Sequence, residues 1–355
     1  MKDTNEKVKM NKKKKKIVLL AALIVLACVF TFEIASMLGG MQIFKVGTTS
    51  IPTATVTPDY GDFTLPVAGV RPYAVMIDNE YSMPLPQGGL YRAQIIYEAF
   101  AEGGETRFMA VFWGKGSTKI GPVRSARHYF LDYAMENNAI YVHVGYSPYA
   151  KRDIKLYDID DINGIFVGGV FWDITKEGSN WSDSYTSTDK INAYVKSHKW
   201  PTTTTRRLVF SYNPADVEPV GGFAAKNVTI KYAASNQSGY VYDSAAKLYK
   251  RLRKGEPLME RVTGKQLTAK NIIIQKIRNY TMPGETKSSR QGLDNVGTGE
   301  GWYVSLGKAV KIKWSKASRT EQTKYTLASS GAELIINPGQ TWVQIMPINY
   351  NPVIK

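Results

Sequence analysis

Cysteine is almost missing from this 355-residue chain: Cys28 is the only one. An internal disulfide is therefore excluded, and the fold must be held by its own core. Cysteine-based protease or transpeptidase chemistry has no nucleophile outside an apolar leader. Histidine is scarce as well. His128, His143 and His198 are the whole set, and none lies four residues from another, so no zinc-site spacing exists and no metal is expected. The nucleophile-elbow pattern G-x-S-x-G does not occur, since GYSPY lacks its last glycine. GGETRF and GKGSTK lack the order of a phosphate-binding loop. No cofactor motif and no internal repeat is visible. With 43 % hydrophobic and 21 % charged residues the chain does not have a disordered composition.

What is present starts with charge. The net charge is +16, but residues 1–16 contribute eight Lys against Asp3 and Glu6, or +6 of it. A basic leader ahead of an apolar run is a membrane-topology signal, so no nucleic-acid partner is expected. The run itself covers residues 17–32, somewhat short of the roughly 20 that span a bilayer, and continues past Glu33 through IASML. Residues 17–38 are thus read as a membrane segment, with the lysines inside and everything after it outside. Cys28 ends the tetrapeptide VLAC, as in a bacterial lipoprotein signal, and is a lipidation candidate. The apolar VFTF that follows argues for an uncleaved anchor instead. Both place the protein at the cell membrane. Residues 39–70 are Thr- and Pro-rich and read as a stalk.

Beyond the stalk the expected class is α/β: a layered α/β domain over 71–200 with a mainly parallel sheet, then a mostly antiparallel β domain over 201–355. PYAVMID, RFMAVFW and AIYVHVG suit buried strands. YRAQIIYEAFAEGG, with apolar Ile95, Ile96, Ala99 and Phe100 before two glycines, predicts a helix. IGPVRSARHYFLDYA, SPYAKRDIKLY and TSTDKINAYVKSHK predict three more. After KWPTTTTRR the period drops to two, as in Val228, Ile230, Tyr232 and in Val310, Ile312, Trp314.

IGPVRSAR places Arg124 and Arg127 where a helix begins, with Ser125 as the expected N-cap. Positive charge there opposes the helix dipole. Guanidinium forks beside unpaired backbone N–H groups favour a phosphate or carboxylate, and Arg107 at the head of a strand can join them. The competing reading pairs these arginines with Asp78, Glu98, Glu102 or Asp132 as internal ion pairs. His143, near the end of its strand, is either a hydrogen-bonded core group or a candidate acid/base group together with Asp78 and Glu102.

RPYAVMIDN, QGGL–YRAQIIYEAFAEGGETRF, IGPVRSAR, AIYVHVG-SP and YTST, with LGKAVKIKWSK and GQTWVQIMP further on, resemble the YerB-like lipoprotein family of Gram-positive bacteria, a two-part domain of unknown function. The resemblance implies envelope localisation and a two-part architecture, and no activity. This chain departs from the family pattern at Tyr146, where a second glycine is usual. FWDITKEGSNWSDSYTS likewise replaces a usual arginine-aspartate and Pro-His-Asn. The expected function is a membrane-anchored extracytoplasmic protein whose Arg107, Arg124, Ser125 and Arg127 bind an anionic group on a wall polymer, a lipid-linked ligand or a partner protein. The alternative is an enzyme on phosphorylated or glycan envelope substrates.

Overall fold

The computed structural model describes residues 63–80, 85–114, 116–175, 183–285, 287 and 289–355. The basic leader, the apolar run with Cys28, and the stalk as far as residue 62 lie outside the described residues. The described residues all belong to one compact unit, Thr57–Lys355. Among them no helix is long and apolar enough to cross a membrane.

The apolar runs of the first segment form β1 (Tyr73–Asn79), β3 (Thr106–Phe112) and β4 (Ile140–His143), as their composition predicts. Three helices follow the expected stretches: α1 (His128–Glu136), α2 (Pro148–Leu156) and α3 (Thr188–Ser197). Ser147 and Ser187 cap the last two, accepting from the backbone N–H groups of Ala150 and Lys190.

The expected helix in YRAQIIYEAFAEGG is corrected: Ile95–Phe100 is a strand, β2. It lies inside the main sheet with both faces covered, so it needs apolar residues on consecutive positions and shows no alternation. Its glycines make a tight turn rather than a helix end. Glu102–Gly104 forms one 3-10 turn, Gly103 and Gly104 have φ of 68° and 79°, and the chain returns antiparallel as β3.

The mainly parallel sheet is corrected with it. β5 (Asp161–Asn163) follows α2, and the second segment adds β6 (Asn227–Ala233), β7 (Asn236–Asp243), β8 (Leu248–Arg253), β9 (Asn271–Ile277), β10 (Gly297–Ser305), β11 (Lys308–Lys316), β12 (Lys324–Leu327) and β13 (Thr341–Pro347). The main sheet runs β12-β11-β10-β9-β13-β2-β3-β1-β4-β5, with Phe223–Ala224 beside β11 making eleven strands. Pairing is parallel at β1–β4, β4–β5, β2–β13 and β9–β13, and antiparallel elsewhere. The sheet is therefore mixed, because a hairpin replaces a helical crossover. β13, near the end of the sequence, inserts between β9 and β2, so both sequence segments share this sheet.

A second sheet, β6–β8 with three two-residue strands, covers one face of the first. Its Tyr240 and the main-sheet Phe108 both meet Trp342 edge-on. Arg251 lies between Tyr240 and Trp342, about 5 Å from each ring. Helix α1 covers the opposite face, packing Tyr129, Phe130 and Tyr133 against Tyr97, Met109 and Tyr141. Residues 120–126 cross the end of the sheet where β1, β4 and β5 finish and β3 begins, bridging Val123 to Ile77.

Candidate functional site

β1 and β4 run parallel as far as Val75 and Val142, β1 continues to Asn79, and β3 runs back along β1, so Asp78, Arg107 and His143 all lie towards the same end of the sheet. Carboxyl ends of parallel strands are where open sheets place ligands. Asp78 and Arg107 are direct cross-strand partners. Residues 120–126 then cross this end in extended form, with Val123 bridged to Ile77 and Ala126 to Tyr146. That path corrects one expectation: Ser125 is not the N-cap of α1. Arg127 occupies the cap position in an extended conformation, with no side-chain cap bond. The chain is held extended because its N–H groups already have partners, Arg124 N with Met76 O and Ala126 N with Gly145 O. Ser125 contributes its carbonyl, which accepts from Arg107 Nη1 at 2.8 Å.

All three predicted arginines meet here, and each faces acids. Arg107 is fully buried and pairs with Glu80, with Glu102 3.8 Å away. Arg124 forms an ion pair with Asp78, its Nε 2.8 Å from Oδ2, and donates from Nη2 to Glu80 at 3.1 Å. Arg127 holds Glu102 in a two-pronged grip, Nε–Oε1 2.5 Å and Nη2–Oε2 3.0 Å. Three guanidinium groups thus face three carboxylates. Burial, followed by the charges of Arg127 and Arg124, lowers the pKa of Arg107. Burial also lowers that of Arg124, with Asp78 opposing.

His143 is fully buried beside this cluster. Its Nδ1 meets Gly145 O at 2.7 Å and its Nε2 meets Asp161 Oδ2 at 2.9 Å, so both nitrogens are occupied. Asp78 is 1 % exposed. Of the three acid/base candidates only Glu102 presents a partly open carboxylate. Glu80 and Asp161 belong to the site and were missed in sequence. Glu80 follows Asp78 in the D-N-E that closes β1, a signal that a carboxyl pair sits at a strand end.

No group of three or more His, Cys, Asp and Glu suited to a metal ion occurs among the described residues. A cavity of about 280 Å³, lined by Arg92, Gly114, Ser117, Thr118, Thr188 and Asn192, opens beyond the far end of β3. It is separate from the arginine cluster.

Residues 64–201 match the N-terminal domain, and residues 228–343 the C-terminal domain, of the protein of unknown function DUF3048. The chain is 33 % identical over 285 residues to the "Putative lipoprotein YerB" of Bacillus subtilis (strain 168), covering 78 % of this chain and 81 % of that one. The chain belongs to the DUF3048 family. The crystal structure of YerB protein from Bacillus subtilis is similar to this fold, with a TM-score of 0.70 at 28 % identity, covering 81 % of this chain and 94 % of that chain. The family match spans both sequence segments, and the arginine cluster lies within its N-terminal part.

Proposed function

We propose that this DUF3048 protein is held at the outer face of the cell membrane and binds an anionic group of an envelope ligand at Arg127. The membrane part of this reading is supported by the basic leader, the apolar run and the name of the Bacillus relative. The ligand part is carried by one observation, the grip of Arg127 on Glu102. A carboxylate already sits there in bidentate geometry, so the site fits such a group, and Glu102 occupies the place of a ligand anion. Glu102 is the acid best able to yield, because it stands in a short glycine turn and its side chain is 18 % exposed. Asp78 and Glu80 keep Arg124 and Arg107 aligned behind it.

Binding is favoured over catalysis because His143 has both ring nitrogens engaged and Asp78 is buried against Arg124. Titration with inorganic sulfate or phosphate, read by melting temperature, tests the proposal. Removing the competing charge in Glu102→Gln should tighten binding about tenfold, since charge-assisted bonds are worth roughly 1.5–3 kcal/mol. Arg127→Ala should abolish the response. Equal responses in wild type, Glu102→Gln and Arg127→Ala would leave these residues as internal struts.

A further inference from the structure

The connection after β5 reads GIFVGG, residues 164–169, and its backbone is firmly held. Phe166 N and Val167 N donate to Asn163 O at 2.9 and 3.1 Å. The side-chain oxygen of Asn163 accepts from Ile165 N and also from Gly145 N. Yet Ile165 is 60 % and Phe166 72 % exposed. A pinned loop that presents two large apolar side chains to water is a surface awaiting a partner. Its neighbours extend it: the Tyr146 ring lies 6.3 Å from that of Phe166, and Lys151 Nζ sits 5.5 Å over Tyr146. Arg152, next along α2, is exposed as well.

We propose that Ile165, Phe166, Tyr146 and Lys151 form a tip that rests in the outer interface of an anionic lipid bilayer. This rests on the membrane-held reading above and not on the anion site. An apolar pair, an amphipathic tyrosine and a lysine able to reach headgroups are what the headgroup–acyl boundary accepts. The acids of the same connection are engaged elsewhere: Asp153 with Arg319, Asp160 with Arg71, Asp161 with His143. Only Asp158, past the far end of α2, remains. Residues 39–62 can span at most about 80 Å, which allows the folded unit to reach the surface holding the apolar run. Another exposed apolar group, Val217, Val220 and Phe223, carries Glu218, whose side chain is 63 % exposed and no closer than 3.9 Å to Lys308 Nζ, a weak pairing that leaves it disfavoured by anionic lipid. Tyr146 is bridged to Ala126, the neighbour of Arg127, so a docked tip brings the arginine cluster to the headgroups and makes a lipid-borne anion its natural ligand.

The near-absence of cysteine supplies the experiment. In a full-length Cys28→Ser background, Phe166→Cys and, separately, Val220→Cys are labelled with an environment-sensitive fluorophore and reconstituted in vesicles of phosphatidylcholine and phosphatidylglycerol. The label at 166 should shift to the blue and be quenched by nitroxide lipids, and the label at 220 should do neither. Lys151→Glu should weaken the quenching at 166. Equal aqueous spectra at both positions, in chains that float with the vesicles, would overturn the tip. So would a blue shift that grows with protein concentration and ignores nitroxide lipid, since that signals a second copy. Chains that do not float at all would overturn the anchoring reading and this one with it.

Discussion

Removing the guanidinium of Arg251 should be among the most damaging single changes in the folded unit. Arg251 and Glu98 are both fully buried and pair at 2.7 Å, joining β8 of the second sheet to β2 of the first. Arg251→Ala strands the Glu98 charge in the interior. Three donors to Glu98 survive, from the hydroxyls of Thr106 and Ser238 and the amide of Gln344. They soften the loss without supplying a counter-charge. Breaking a buried pair from one side costs about 3–5 kcal/mol, a large part of the roughly 5–15 kcal/mol that stabilises a domain. Replacing both partners, as Arg251→Met with Glu98→Gln, removes the stranded charge and should return the chain to within about 2 kcal/mol of wild type. Urea unfolding of the single and double variants measures this as a double-mutant cycle. The loss in Arg251→Ala should also shrink as pH falls, because protonation relieves an unpaired buried carboxylate. A loss below about 1 kcal/mol at neutral pH, with no recovery in acid, would refute the reasoning, since the cost assumed for a stranded interior charge is several-fold larger.

Other outcomes follow from named contacts. Gly301→Ala should destabilise strongly in thermal unfolding, because a Cβ there would stand 2.0 Å from the Ile274 carbonyl oxygen across the β9–β10 pair. Burial and then Arg319 lower His128 from 6.5 to about 4, while burial raises Asp132 from 3.8 to about 6. The histidine's folded pKa is depressed, so its contribution is lost as pH falls from 6.5 towards 4. The carboxyl's is raised, so its contribution grows over nearly the same interval. The wild-type profile should thus be close to level there, and His128→Phe should become more stable as pH drops from 6 to 4 in denaturant titrations. Lys316→Met should cost about 3 kcal/mol or more, as it strands Glu136 with only the Tyr97 and Thr323 hydroxyls and the Thr323 N–H around it.

Local signals in the sequence reached as far as local physics allows. Ser147 and Ser187 stand before amphipathic runs and do cap α2 and α3, while the alternation of Val228, Ile230 and Tyr232 is met by an inward face on β6. β2 was misread because a strand covered on both faces carries the same consecutive apolar residues as a buried helix. Ser125 was misread as a cap because its extended backbone is imposed by partners more than fifteen residues away, Met76 and Gly145 among them. The meeting of Arg107, Arg124 and Arg127 was legible as a set. Their division among Asp78, Glu80 and Glu102 was not, since it depends on the β1–β3 register and on where the glycine turn sets Glu102 down. The Glu98–Arg251 link is less legible still, since it depends on how two sheets stack.

The claim that matters most is that Glu102 occupies a ligand's place on Arg127. Crystals of the folded unit grown with and without sulfate, in wild type and in Glu102→Gln, test it directly. Sulfate oxygens should lie within hydrogen-bond distance of Arg127 Nε and Nη2 in the variant, with residue 102 turned away and Arg107 and Arg124 unmoved. A variant whose residue 102 keeps its place against Arg127, with no anion bound there at any sulfate concentration, would contradict it.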